Sequence, residues 1–122
     1  MKSVKLKVSK EEIGGRLTFM TTYDLLKSAV NNPEQGGFNV DEMMKRLRIL
    51  QEIEKYKEKF SIKEADFTDD KLLLEDTLLL EDSDFDKLKE LFNATKWGVV
   101  SKFIVDLHNE LKEAKSFNPA SI

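Results

Sequence analysis

An apolar stripe running from residue 40 to residue 60 constrains this chain more than any other feature. Val40, Met43, Met44, Leu47, Leu50, Ile53, Tyr56 and Phe60 recur at three- and four-residue spacing. That spacing places them along one side of an α-helix. Asn39 can accept from the free N–H groups of the first turn, and Glu42 follows three residues later, a capping-box-like arrangement. A helix over about 40 to 59 is predicted. With Ile49 beside Leu47 and Leu50, its apolar surface is wider than a narrow stripe, more than about three strands would cover, which leaves part of it for a partner or a second copy.

The preceding residues supply a sheet. Val4, Leu6 and Val8 alternate with Lys5 and Lys7, the period of a half-buried strand with a lysine face. Gly14-Gly15 suits a turn that needs positive φ, and Leu17 and Phe19 then point to one side with Thr18 to the other. A β-hairpin from 3 to about 20 is expected. Thr21 or Thr22 can cap a short helix bearing Tyr23, Leu26, Ala29 and Val30, which Asn31-Asn32-Pro33 ends. The PEQGGF segment, 33–38, reads as a loop whose Gly36-Gly37 bend tucks Phe38 against the long helix as a hydrophobic staple.

Beyond the long helix, residues 61–71 read as an irregular acidic connection. Two short copies follow, Leu72-Leu73-Leu74-Glu75-Asp76 and Leu78-Leu79-Leu80-Glu81-Asp82, too short for a solenoid unit. They read as one strand or two, with 77–81 the better strand. Asp82 or Ser83 would cap a helix from about 84 to 94 carrying Phe85, Leu88, Leu91 and Phe92. Thr95 would cap a last helix with Val99, Val100, Phe103, Ile104, Leu107 and Leu111 on its apolar side. The predicted fold is therefore α+β: an N-terminal β-hairpin plus a short third strand, packed against about four helices. Residues 1–115 form one compact domain, and 116–122 a loose tail. A chain of 122 residues can build one such core unaided.

Composition excludes several chemistries. The chain has no cysteine, so disulfides, thiolate metal sites and cysteine nucleophiles are ruled out. No apolar run approaches the ~20 residues that span a bilayer. The alternating MKSVKLKVSK start is unlike a secretion signal, so the protein is expected in the cytoplasm. Net charge is -3 but unevenly spread. Residues 1–60 carry 12 basic and 9 acidic side chains, 61–86 carry 2 and 10, and 87–122 carry 6 and 4. A generic nucleic-acid binder would not concentrate acid in this way.

No catalytic grouping, cofactor motif or metal site emerges. Asp82, Asp84 and Asp86 alternate as calcium ligands do, but Lys87 and Asn93 stand where that loop needs Gly and Glu. His108, the single histidine, shares a helix with Ser101 and Asp106 but not a face. Gly36-Gly37 lacks the remainder of any phosphate-binding motif. Lys45, Arg46 and Arg48 form a basic cluster that reads as a solvated face, since Glu42, Glu52 and Glu54 flank it.

What remains is binding. Methionine adapts to irregular partners and tryptophan is enriched at interface hot spots. Met43, Met44, Leu47, Leu50 and Trp97 are the candidate partner-binding residues, contacting another protein chain or a second copy as a homodimer. Two alternatives compete: a nucleic-acid-binding regulator using Lys45, Arg46 and Arg48, and an acidic mimic using 64–86 to occupy a basic groove. The stretches QGGFNVDEMMKRLRILQEIEK (35–55) and LLLEDSDFDKLKELFNATKW (78–97) resemble small proteins encoded in phage and prophage genomes. That resemblance covers about a third of the chain and assigns no site residue. It implies an accessory or assembly factor that works by protein contact and is not an enzyme.

Overall fold

The computed structural model describes residues 1–115. Strand β1, Lys2–Ile13, turns at Gly14 and Gly15 into β2, Arg16–Thr21. Both glycines have positive φ, 60° and 79°, which a residue with a Cβ resists. The antiparallel register runs from Val8 opposite Thr21 to Ile13 opposite Arg16. The other half of β1 pairs antiparallel with β3, Glu75–Leu80, from Lys2 opposite Leu80 to Lys7 opposite Glu75. The sheet order is β2-β1-β3. The two leucine-containing copies therefore make one strand: Leu72 and Leu73 of the first end a 3-10 turn, Asp69–Leu73, which follows another at Glu64–Asp66, and Glu75 and Asp76 already begin β3. These two turns replace the wholly irregular connection expected over 61–71.

Five helices complete an α+β fold. Helix α1, Thr22–Val30, is capped by Thr21, whose side chain accepts from Asp24 N. Helix α2, Val40–Glu54, is capped by Asn39, which accepts from Glu42 N at 2.8 Å. The single helix expected to 59 breaks here. A separate turn, α3, Lys57–Phe60, follows because Tyr56 is drawn to the sheet, where its hydroxyl donates to Thr77 O at 2.7 Å. Helix α4, Asp82–Ala94, has Glu81 as its N-cap with no side-chain cap bond, so neither Asp82 nor Ser83 fills that role. Helix α5, Lys102–Glu113, starts later than Thr95 would place it. Thr95 instead ends α4, its hydroxyl donating to Leu91 O at 2.8 Å. Val99 and Val100 consequently lie outside any helix and are exposed.

The core gathers Val4, Leu6 and Val8 of β1 and Leu78 and Leu80 of β3 against the helices, with Tyr23, Leu26, Ile49, Ile53, Phe60, Phe85 and Leu88 fully buried. Strand alternation puts the β-residues on one face, as the 2.0 period requires. The N-terminus of α5 is held from across the chain. Glu11 of β1 accepts from Ser101 Oγ at 2.6 Å and from Lys102 N at 2.7 Å. The Ser101 hydroxyl first, then the backbone N–H groups of Lys102 and Phe103, hold the Glu11 carboxyl below its ordinary value. The expected loose tail, 116–122, lies outside the described residues. Among the described residues, no helix is long and apolar enough to cross a membrane.

Candidate interaction surface

Helix α2 carries two apolar faces. Arg46, Ile49 and Ile53 are buried. Val40, Met43, Met44 and Leu47 are 68%, 45%, 55% and 54% exposed. At 3.6 residues per turn the two sets lie roughly 130° apart around the helix. Leu50 sits between them, half-buried against the core. The expected stripe is therefore split: its first part, Val40 to Leu47, faces out, while Ile53 and Phe60 pack inward, and the buried face of α2 contains an arginine.

Arg46 explains the rotation. Its side chain is 6% exposed and fully engaged. Nε donates to Glu42 Oε1 at 3.0 Å, and Nη1 to Val30 O at 2.9 Å and Asn32 O at 2.7 Å. Nη2 donates to Glu34 Oε1 at 2.9 Å. The Phe38 ring covers the guanidinium, with Cζ 4.3 Å from the ring centre. The planar fork of arginine satisfies all of these at once, which an ammonium could not. The carbonyls of Val30 and Asn32 belong to the end of α1, so Arg46 ties α1 to α2. Glu42 also meets Lys87 of α4 at 2.7 Å. Lys87, then Arg46, hold the Glu42 carboxyl below its ordinary value.

The basic cluster therefore does not form one solvated face. Arg46 is internal, and Arg48 is engaged with Asp84 at 3.1 Å. Only Lys45 stands outward without a partner among the described residues. Much of the acidic segment is likewise matched by this chain's own cations. Glu64 pairs with Arg16, Asp69 with Lys10, Glu75 with Lys5, Asp76 with Lys59, Asp84 with Arg48 and Asp86 with Lys2.

Tying the helices together leaves a hollow of about 210 Å³ between them. Val30, Asn31, Phe38, Met43, Arg46, Leu47 and Leu50 line it. Met44 and Val40 continue the same outward face along α2. Phe38, Val30 and Asn31 were not among the candidate residues. The signal that could have found them is Glu42 four residues before Arg46, a helical ion-pair spacing within an apolar run.

Trp97 lies elsewhere. It is half-buried, its ring centre 5.1 Å from that of Phe92. It lines a second hollow, about 270 Å³, with Phe92, Asn93, Thr95, Ile104, Val105 and His108. The two hollows share no residue, so the candidate set divides into Met43, Met44, Leu47 and Leu50 at one place and Trp97 at another. His108 is half-buried beside Trp97, while Ser101 is bonded to Glu11 and Asp106 to Lys102 at 2.6 Å. The three do not form a relay. Among the described residues, no three His, Asp or Glu side chains gather as a metal ion requires.

No family model, curated protein or solved structure matches this chain. The architecture itself defines a small α+β domain with an outward apolar helix face.

Proposed function

We propose that the chain is a non-catalytic protein–protein interaction domain whose docking face is the outer side of α2. The observation that carries this reading is four neighbouring apolar side chains, Val40, Met43, Met44 and Leu47, left exposed beside a hollow that Arg46 holds open. Contiguous apolar surface of this kind marks an interaction site.

The occupant we assign is an amphipathic helix of another protein. The strip follows one helix at i, i+3, i+4 and i+7, the pattern by which helices pack into one another. The hollow has room for one large apolar anchor from that partner. Lys45, free beside Met44, favours an acidic residue flanking the anchor. An accessory or assembly role, of the sort the phage-like pattern implies, is the setting in which such a domain works. The buried Arg46 and the paired Arg48 weigh against a nucleic-acid reading, and the ion pairs that already engage much of the 64–86 segment weigh against acidic mimicry.

A photo-crosslinking residue at position 44 tests this in native host cells. Adducts should map to an apolar face of a helix in one partner, and Leu47→Asp should abolish partner retention. Leu47 is exposed, so its substitution should change stability by less than about 0.5 kcal/mol. Equal partner retention by Leu47→Asp would overturn the proposal. Adducts confined to a second copy of this chain would reassign the face to self-association.

A further inference from the structure

The sheet edges are treated unequally. Where β1 runs past the end of β2, Lys5 N donates to Glu110 Oε1 at 2.9 Å and Lys7 N to Thr22 Oγ1 at 3.1 Å. On β3, the carbonyl of Thr77 accepts from Tyr56 Oη and that of Glu75 from Lys59 Nζ at 2.8 Å. Side chains thus occupy backbone groups that another strand could otherwise use, the usual protection of a sheet edge. Strand β2 has none of this. Among the described residues its backbone pairs only with β1, apart from Thr18 Oγ1 turning back to Arg16 O. Its sequence, RLTFMT, contains no proline or lysine to discourage addition.

Beside this open strand lies a hollow of about 480 Å³, with Phe19, Ile62, Phe67 and Val99 on its apolar wall and the Arg16–Glu64 ion pair on its polar one. Phe19 stacks on Phe67 with ring centres 5.0 Å apart. Leu17, two residues before Phe19 and on the same face, is 53% exposed.

We propose that β2 pairs antiparallel with β2 of a second copy of this chain, about a two-fold axis through Thr18. In that register Leu17 of each copy stands opposite Phe19 of the other, on the face of the hollow. The strand therefore presents both the exposed knob and the apolar wall, at Phe19, that receives it, as an isologous interface demands. The backbone groups left open on β2 supply the ladder, and a six-stranded sheet results. Six residues a side fall well short of the roughly 800 Å² per partner of a standard interface. The dimer is accordingly weak and concentration-dependent. This surface shares no residue with the outer face of α2, so either proposal can fail alone.

Sedimentation of the whole chain over a concentration series tests it. The wild type should pass from monomer to dimer. Thr18→Lys places two like charges at the axis and should remain at half the dimer mass, whereas Met44→Asp should dimerise as the wild type does. Leu17→Lys gives an independent second variant, and circular dichroism confirms that each variant is folded. Because the chain has no cysteine, half-buried Thr18→Cys should oxidise to a covalent dimer far faster than Val100→Cys, although Val100 is the more exposed. A wild type that stays monomeric throughout, dimerisation unaffected by Thr18→Lys, or equal oxidation of the two cysteine variants would overturn the proposal.

Discussion

Arg46 is the residue on which the arrangement of α1, α2 and the docking hollow turns. Truncating it removes the donors to Val30 O, Asn32 O, Glu34 and Glu42 together. Breaking a buried charge pair from one side is strongly destabilising, because the remaining groups lose water and partner alike. Arg46→Ala should cost ~3–5 kcal/mol in urea denaturation. Arg46→Lys keeps the charge but not the fork, and should recover only part of that loss. A cost below about 1 kcal/mol for Arg46→Ala, the range of an exposed ion pair, would show that the network is not holding the helices.

At the scale of elements, α5 depends on a cap assembled from two distant parts of the chain. Ser101 accepts from Ile104 N at 3.3 Å while donating to Glu11. Ser101→Ala should cost ~1 kcal/mol, in the range of lost N-caps. Amide exchange should speed up in the first turn of α5 and not in α1. Because Glu11 and Ser101 act on the same turn, the double substitution should cost less than the sum of the singles. This cap also shows where local sequence stops being informative. The hairpin and α1 were legible because their signals are local: alternation, Gly14-Gly15, Thr21 and Pro33. Thr95 looked like the N-cap of the last helix for the same reason. Nothing near Ser101 announces that a carboxylate ninety residues away will bond to it. The α2 face failed differently. Periodicity located the helix and its capping residue, but the helix has two apolar faces, and a rule that counts Arg46 as polar cannot show that Arg46 and Ile49 join Ile53 on the inward one. Met43, Met44 and Leu47, singled out for partner contact, do lie exposed on one helix face, while Trp97 could not be separated from them until the chain was folded. The break after Glu54 has no proline or glycine to mark it; Tyr56 reaching Thr77 and Phe60 entering the core impose it.

For the molecule as a whole, charge placement sets the response to pH. The acidic segment wraps the cations of the sheet and helices, and most of these pairs are exposed, so each contributes little. Glu42 differs, being 14% exposed and shared between Lys87 and Arg46. Its carboxyl titrates lower in the folded chain than in the unfolded one, as do those of Glu54, bonded by Lys27, and of Asp76, bonded first by the Thr77 N–H and then by Lys59. A depressed folded value means that the unfolded state binds more protons in the interval between the two values. Stability must therefore rise with pH across that interval. The contribution is complete above the ordinary carboxylate range, about pH 4, and disappears as pH falls through the lower folded value. On the alkaline side Lys27, paired with Glu54, titrates above its ordinary value, so its contribution is complete below that value and is lost as pH rises past the folded one. Denaturation midpoints should thus form a plateau through neutral pH with an acid limb. Glu42→Gln should lower the plateau and make the acid limb shallower, because the substituted chain no longer has this proton to bind on unfolding. An acid limb of unchanged steepness in Glu42→Gln would assign it to the exposed pairs of the 64–86 segment instead.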